Sequence, residues 1–260
     1  MNILFLGDIV GRPGRKALAD LLRGLRQTLA LDLALANAEN ASGGIGLNSK
    51  AARELLCLPL DVLTSGNHIW KHKDIFAFFN ETDRLLRPAN YPPGAPGSGL
   101  GVFDAPDGSR YAVLNLLGRT YMDAADCPFQ VADALLATLP GDIKVRIVDF
   151  HAEATSEKKA MGYFLDGRVS AVFGTHTHVQ TNDARILPGG TACLTDVGMC
   201  GPVDSIIGMD ARSIVNRFLT RLPVRFDVAK GPVRLEGGLC EIDAATGRAV
   251  NIRPWQGGHS

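Results

Sequence analysis

The sequence predicts an α/β protein in which two mixed β-sheets pack as a sandwich with helices on the outer faces. Short runs of apolar and β-branched residues, typical of buried strands, alternate with segments of helical spacing. Two turn sequences, each flanked by apolar runs, indicate β-hairpins, and the first of these is expected to open a second sheet. Because no linker or internal repeat interrupts the pattern, residues 1–260 are predicted to form one domain.

The elements follow from apolar periodicity taken in chain order. Strands are predicted at residues 2–6, 33–36, 62–64, 101–104, 111–116, 145–150, 169–173 and 191–196. Helices are predicted at about residues 13–30, 70–79, 156–165 and 210–222. Pro106-Asp107-Gly108 forms the turn of the first hairpin, and residues 244–247 form the turn of a C-terminal hairpin. Alternating strands and helices of this kind favour a largely parallel or mixed sheet.

Composition excludes several functional classes. The chain is 46% hydrophobic and 21% charged, which excludes wholesale disorder. Its 27 basic residues balance 27 acidic ones, so binding of nucleic acid or anionic membranes through bulk charge is not indicated, although a local phosphate site is compatible with it. No apolar run approaches the roughly 20 residues of a membrane span.

The cysteines and the N-terminal segment indicate a cytoplasmic location. Five cysteines are scattered without a Cys-x-x-Cys pair and are expected to be reduced core thiols. The first residues lack the basic region and the cleavage site of a signal peptide. We therefore expect a cytoplasmic protein that makes no use of a membrane.

Polar residues of metal-ligand type follow five of the predicted strands. They are Asp8, Glu39, Asn40, Asn67, His68, His151, His176 and His178. Loops at the carboxyl ends of strands in open α/β sheets converge, so these side chains are expected to lie together. Taken singly, each has a structural explanation, such as a helix cap for Asp8 or a hydrogen-bonded core histidine for His151. Five such strand ends in a chain with six histidines are hard to explain that way.

The residue types suit transition-metal ions. Imidazole together with carboxylate favours Zn, Fe or Mn over Ca, which takes oxygen ligands. One bridging carboxylate, an aspartate, three histidines and one or two asparagine oxygens suffice for two ions. Two neighbouring ions can generate hydroxide at neutral pH and bind a phosphoryl oxygen.

The order of these motifs resembles the signature of calcineurin-like metallophosphoesterases. That signature runs D-x-H, G-D, G-N-H, H and G-H-x-H, and residues 8–178 follow its order and spacing. The sequence departs from it at three positions. Val10 stands in place of the first histidine, and Glu39 stands in place of the bridging aspartate. In the last motif, Thr175 occupies the hydrogen-bonding position that precedes His176. Asn40 is then the residue that could replace the missing imidazole.

The three departures from the general signature indicate one group within it, the bacterial YmdB-like branch. Residues 7–14, 38–40, 149–158 and 195–199 are similar to that branch. The resemblance implies a phosphodiesterase that hydrolyses 2′,3′-cyclic nucleotides at a dinuclear centre of divalent or mixed-valence ions, iron in the first place and manganese as the alternative. It also implies a small nucleotide or phosphate ester as the binding partner and a homo-oligomeric protein.

The same resemblance implies a role for each residue. One ion is expected to be held by Asp8, Asn40 and His178, and the other by Asn67, His151 and His176, with Glu39 bridging. A hydroxide shared by the ions would attack phosphorus, and His68 would protonate the leaving 2′ oxygen, giving a 3′-nucleotide.

Two alternatives remain open at this point. The same ions could serve a phosphomonoesterase or a nuclease, because loops set the substrate. A weakly catalytic regulator that binds a nucleotide or RNA belongs to a different class, although a complete ligand set argues against it.

Overall fold

The computed structural model describes residues 1–259 as strands and helices that form two sheets. The strands are β1 (Asn2–Leu6), β2 (Asp8–Ile9), β3 (Leu33–Asn37), β4 (Val62–Thr64), β5 (Leu100–Asp104), β6 (Arg110–Leu117), β7 (Val145–His151), β8 (Ala171–Thr175), β9 (Arg185–Ile186), β10 (Ala192–Leu194), β11 (Met199–Pro202), β12 (Val233–Ile242) and β13 (Ala249–His259). The helices are α1 (Gly11–Thr28), α2 (Ser49–Leu56), α3 (Ile75–Phe78), α4 (Pro128–Ala137), α5 (Thr155–Leu165) and α6 (Ala211–Thr220). The predicted domain extends to Ser260, which lies outside the described residues.

The two sheets have mixed topology. The first has the strand order β2-β11-β12-β1-β3-β4, with β13 paired to β12, and the second has the order β5-β6-β7-β8-β10-β9. In the first sheet β1, β3 and β4 run parallel, and in the second β6, β7, β8 and β10 run parallel. The ligand-type residues follow the carboxyl ends of strands in these two parallel groups, which brings them to one edge of the sandwich.

Alternation along the strands produces the sandwich. Ile3 and Phe5 of β1 point toward the second sheet, where Phe5 stacks on Phe173 with ring centroids 5.0 Å apart. Leu4 and Leu6 point the other way and pack beneath α1 and α2. A third apolar cluster lies between the second sheet and the helices α4 and α5. The predicted fold, two mixed sheets with outer helices, is therefore confirmed.

Helix α1 packs on the sheet through small residues. Its buried positions, among them Gly14, Ala17 and Leu18, recur every three or four residues and so form one stripe. A Cβ atom at Gly14 would lie 2.2 Å from the carbonyl oxygen of Cys200 in β11, so this position requires glycine. The close approach holds the start of α1 against the strand beside Asp8.

The structure differs from the predicted elements in several places, and the two-residue strands β2 and β9 are among the elements that were not predicted. Residues 70–79 form a 3-10 turn at Ile69–Lys71 and the short α3, instead of one helix. Asp74 lies between them and accepts hydrogen bonds from the backbone and hydroxyl of Ser49, a contact distant in sequence. The helices α2 and α4 and the strand β11 were not predicted. Both predicted hairpins are present.

The helices and the cysteines can be compared with the sequence-based expectations. None of the helices in residues 1–259 combines the length and the apolar character needed to cross a bilayer. All five cysteines are free thiols, but the expectation of core positions is wrong for Cys57, which is exposed at the end of α2.

Candidate metal centre

The structure brings the seven predicted metal ligands into one cluster. They are Asp8, Glu39, Asn40, Asn67, His151, His176 and His178. Glu39 lies at its centre and is fully buried, as are Asp8 and His151. Ligand atoms of Glu39, His151 and His176 all lie within 4.8 Å of one another, close enough to share an ion. Their metal-binding roles stay a prediction, but their positions suit it.

The contacts divide the cluster into two groups on either side of Glu39. On one side, His178 Nε2 lies 3.7 Å from Asp8 Oδ1 and 3.1 Å from Asn40 Nδ2. On the other side, His151 Nε2 lies 3.2 Å from Glu39 Oε1 and 3.1 Å from both Asn67 Oδ1 and His176 Nδ1. The division is that expected for two ions bridged by Glu39.

Hydrogen bonds behind the imidazole rings turn one nitrogen of each ring toward the cluster. Thr175 donates its hydroxyl proton to Asp149 at 2.7 Å, so it accepts from His151 Nδ1 at 2.8 Å and leaves Nε2 facing Glu39. His178 Nδ1 donates to the carbonyl oxygen of Ile207 at 2.9 Å, which likewise leaves Nε2 inward. Partners of this kind fix the tautomer and orientation of metal-binding histidines.

His176 is oriented by a carboxylate that was not predicted from the sequence. Its Nε2 lies 3.0 Å from Glu153 Oε2, on the outer side of the ring, while Nδ1 faces His151. Burial and the neighbouring His151 lower the pKa of His176 to about 4, so this ring is neutral near pH 7. A neutral imidazole has the free electron pair that a metal ion requires.

The loop that carries His176 and His178 does not continue β8 as extended backbone. Both residues have positive φ angles, 100° for His176 and 62° for His178. The loop therefore turns sharply, and the two rings enter the cluster on different sides of it. Left-handed backbone at residues other than glycine is strained and needs support from its surroundings.

Asp196 supplies that support between the two histidines. Its Oδ2 accepts from the backbone N–H of Thr177 at 3.1 Å and from the Thr177 hydroxyl at 2.7 Å. The same oxygen lies 2.7 Å from Lys158 Nζ, and the ion pair is almost fully buried. A buried lysine was not predicted at this position, since lysine is rarely buried unless it is paired.

A second buried carboxylate, Asp149, organises the other side of the centre. It accepts hydrogen bonds from Thr64 at 2.5 Å, from Asn37 at 2.9 Å and from Thr175. Burial raises its pKa to about 6 despite these bonds and the nearby His151. Asn37 is the last residue of β3, and nothing in its spacing along the chain distinguished it from a loop asparagine.

The electrostatics of the cluster follow from burying opposite charges together. Burial alone would raise the pKa of Glu39, but His151 and His68 hold it well below its ordinary value. Burial likewise opposes ionisation of Asp8, and His178 lowers that pKa as well. Both carboxylates are therefore ionised at neutral pH and available to a cation.

The unpaired oxygen of Asp8 is the clearest sign that the cluster fits divalent metal ions. Oδ1 is buried and has no hydrogen-bond partner among the described residues, although buried polar atoms are nearly always paired. It lies 3.7 Å from His178 Nε2 and 4.0 Å from His151 Nδ1. Mixed imidazole and carboxylate donors suit Zn, Fe or Mn.

Asn40 departs from the arrangement that a metal ligand needs. Its Nδ2 donates to Glu39 Oε1 at 2.9 Å and faces His178, while its Oδ1 points to His68. An amide binds a cation through oxygen, so Asn40 would have to turn over to serve as a ligand. Asn67, in contrast, already presents its oxygen to the cluster.

His68, the predicted general acid, lies at the rim of the cluster. Its side chain is 33% exposed, more than any other imidazole of the site. Nδ1 lies 3.1 Å from Glu39 Oε1 and 3.0 Å from Asn40 Oδ1, and the backbone N–H donates to Glu39 Oε2. Because both neighbours of Nδ1 are oxygens, that nitrogen is a donor, and Nε2 is the nitrogen available to another group.

Comparison with known proteins gives the family. A family model described as YmdB-like protein matches residues 4–255. The chain belongs to the YmdB-like family. A 2′,3′-cyclic-nucleotide 2′-phosphodiesterase of Bacillus subtilis (strain 168) is 49% identical over 252 residues, which cover 97% of this chain and 95% of that protein.

Solved structures agree with this placement. A hypothetical protein from Thermus thermophilus superimposes with a TM-score of 0.94 and 41% identity, with all of both chains covered. The calcineurin-like phosphoesterase YfkN from Bacillus subtilis shares the fold at a TM-score of 0.61 and 10% identity, covering 98% of this chain and 90% of that one. This YmdB-like chain therefore has the calcineurin-like fold, and its buried donor cluster has the residue types that bind divalent metal ions.

Proposed function

We propose that this YmdB-like protein is a dinuclear-metal phosphodiesterase that hydrolyses 2′,3′-cyclic nucleotides to 3′-nucleotides. The close relative bearing that activity in its name supports the substrate, and the chain is accordingly a phosphoric ester hydrolase. The observation that carries the site assignment is the convergence of six ligand-type side chains around Glu39, with one buried oxygen of Asp8 left unpaired. Iron, with manganese as the alternative, is the proposed metal.

Some residues of the site would bind the metal ions, and His68 would transfer a proton. Asp8, Glu39, Asn67, His151, His176 and His178 would hold the ions, together with Asn40 once its amide has turned. When bound, two such ions supply a nucleophile at neutral pH and neutralise charge on the phosphoryl oxygens. The hydrogen bonds that His151 donates to Thr175 and His178 donates to the carbonyl oxygen of Ile207 keep both rings aimed inward throughout.

His68 is placed to deliver a proton. Its Nδ1–H is held by Glu39 and Asn40, so a second proton on the ring resides on Nε2, at the exposed side. Nε2 would give that proton to the leaving 2′ oxygen of the ribose. The result is a 3′-nucleotide with a free 2′-hydroxyl.

A substrate panel tests the activity. One preparation, purified without oxygen and loaded with iron or with manganese, is assayed on 2′,3′-cyclic nucleotides, on simple phosphomonoesters and on internally linked RNA. We expect hydrolysis of the cyclic nucleotides, with a 3′-nucleotide as the product. A preference for monoesters, or for internal RNA bonds, would assign the same centre to a phosphatase or a nuclease.

Two histidine variants separate the proposed roles. His68→Ala should lower turnover of a cyclic nucleotide by about 100-fold or more while the metal content stays unchanged, because general acid catalysis contributes roughly that factor. His151→Ala, the matched variant, should lose both metal and turnover. Elemental analysis and product release measure the two effects. Turnover that survives His68→Ala contradicts the assignment.

Three further expectations are part of the proposal. A regulatory role that needs nucleotide binding but no hydrolysis would be indicated if the Asp8→Asn variant lost turnover and kept every cellular effect of the protein.

Self-association is supported by apolar side chains that are exposed on and after α6, with Phe218 75% and Leu219 80% exposed. Free thiols support a cytoplasmic location.

A further inference from the structure

A broad groove lies on the outer side of the first sheet, and some of the residues that line it follow closely in the chain after two of the proposed metal ligands, Asp8 and Asn40. It has a volume of about 1580 Å³ and lies between the N-terminal half of α1, the loop that precedes α2, and α2 itself, with residues 228–231 on a further side. None of the described residues that line it is Phe, Tyr or Trp. We call it the basic groove, because of the charges described next.

The lining of the basic groove carries an excess of positive charge. Its cationic side chains are Arg12, Arg15, Lys16, Lys50 and Lys230. Glu54 is the one carboxylate among the described lining residues, and it is already paired with Arg15 at 3.0 Å. The chain as a whole is neutral, so the positive charge of the groove is a local concentration. Such a concentration favours a ligand with several negative charges.

The groove and the metal centre share one loop. The backbone N–H of Gly11, the first residue of α1, donates to the carbonyl oxygen of Asn40 at 2.9 Å. Ser42 and Gly43, which line the groove, follow closely after Asn40 in the chain. At the other strand end, Arg12 follows Asp8 by four residues and also lines the groove. A chain-like anion in the groove can therefore have its end at the metal centre.

We propose that the basic groove binds the sugar–phosphate backbone of single-stranded RNA whose 3′-terminal ribose carries the 2′,3′-cyclic phosphate hydrolysed at the metal centre. This inference rests on the proposed function and names its substrate class. The groove offers five cations for phosphates, and the only aromatic ring among its described lining residues is the imidazole of His72, whose Nε2 lies 3.2 Å from the carbonyl oxygen of Ile45. Binding should therefore depend on charge more than on sequence.

The chemistry of the substrate group points to the same source. A 2′,3′-cyclic phosphate forms when a ribose 2′-hydroxyl attacks the adjacent 3′-phosphodiester. The new bond joins the 2′ oxygen to phosphorus, the bond from phosphorus to the 5′ oxygen breaks, and the proton passes to that 5′ oxygen. The reaction that supplies the substrate is thus transesterifying RNA cleavage, whose products include chains as well as mononucleotides. Each additional upstream nucleotide adds one phosphate for the groove.

A charge-reversal experiment on the metal-loaded enzyme tests the proposal. Lys16→Glu combined with Lys50→Glu is compared with Lys144→Glu, an exposed lysine just before β7 in the other sheet. The substrates are adenosine 2′,3′-cyclic phosphate and an eight-nucleotide RNA with the same terminus. We expect kcat/KM for the RNA to fall by about 10-fold or more at low salt in the double variant, with the mononucleotide changed by less than about 2-fold. Lys144→Glu should leave both values unchanged.

A binding measurement without metal gives an independent readout. Fluorescence anisotropy follows a labelled octanucleotide with a 3′-phosphate, the product form, as it binds the chelator-treated protein over a range of salt concentrations. Each of Lys16→Gln and Lys50→Gln should reduce the slope of log K against log salt by about 0.7, the value for one contact with a single-stranded backbone. Circular dichroism verifies that the variants are folded.

The outcomes separate this inference from the function on which it rests. If the mononucleotide is hydrolysed but the double variant affects both substrates equally or neither, the groove assignment is overturned and the proposed function stands. If neither cyclic phosphate is hydrolysed, the proposed function fails, and the salt slopes still decide whether the groove binds RNA. Displacement of the RNA by polyglutamate of equal charge would assign the groove to acidic peptides instead.

Discussion

The ring of His151 shows how the buried charges of the centre determine its response to pH. The residue is fully buried, with Nδ1 bonded to Thr175 and Nε2 near Glu39. Burial disfavours the charged ring, but Glu39, and to a smaller extent Asp8, raise the pKa of His151 to about 9. Below that pH the metal-free ring carries a proton on the nitrogen that a cation needs, so metal and proton compete for Nε2.

We therefore expect metal binding near pH 7.5 to release a proton from His151 and to strengthen as the pH rises toward 9. The stability of the metal-free protein changes with pH in the opposite direction to the metal affinity. Since the folded pKa exceeds the ordinary value of 6.5, this ring stabilises the metal-free protein fully below pH 6.5 and loses that effect as the pH rises through 9. Calorimetric titration with Mn²⁺ in two buffers of different ionisation enthalpy measures the proton. Equal heats in both buffers would refute the competition.

At the scale of elements, the strand ends were predictable and the loop after β8 was not. Residues 2–6 and 62–64 were predicted at the bounds observed, because buried strands are continuous apolar runs. The convergence of Asp8, Glu39 and His151 followed from parallel strand ends. The positive φ angles of His176 and His178 depend on Asp196, a contact across the fold that spacing along the chain does not encode. The position of Asn40 in the cluster agrees with the prediction, but the orientation of its amide does not, since that orientation depends on the hydrogen bonds around it.

The support of that loop gives a prediction about affinity. Thr177→Val removes the hydroxyl that Asp196 holds and keeps the shape of the side chain, so the two histidines on either side lose part of their alignment. The dissociation constant for metal should rise by about 10-fold, the lower end of the effect of removing such partners. Competition with a coloured chelator measures it, and Thr138→Val in an exposed site is the control. An unchanged constant would mean that the backbone contact alone holds the loop.

For the whole molecule, the metal centre and the apolar core are separate sources of stability. The three apolar clusters between and outside the sheets contain none of the proposed ligands. Removing the ions should thus lower the melting temperature without unfolding the sheets at room temperature. Each ion that binds the folded state at 100 times its dissociation constant contributes about 2.7 kcal/mol, so two ions contribute about 5.4 kcal/mol.

We expect a chelator to lower Tm by about 10–20 °C, since two ions contribute about 5.4 kcal/mol and each kcal/mol corresponds to roughly 2–4 °C in a chain of this size. Scanning calorimetry with and without chelator measures the shift, and adding back manganese should reverse it. The far-ultraviolet circular dichroism at room temperature should stay the same. A collapse of that signal on chelation would show instead that the ions are required for the fold.

The position of β1 has a consequence for synthesis of the protein. This first strand lies between β3, formed soon after it, and β12, formed near the other end of the chain, and Leu6 pairs with Gly237. On the ribosome, all seven proposed ligands emerge before the strand that completes their sheet. The nascent chain must therefore keep one side of β1 unpaired until translation has passed residue 242, which makes the late stage of synthesis the time when the protein most needs protection from aggregation.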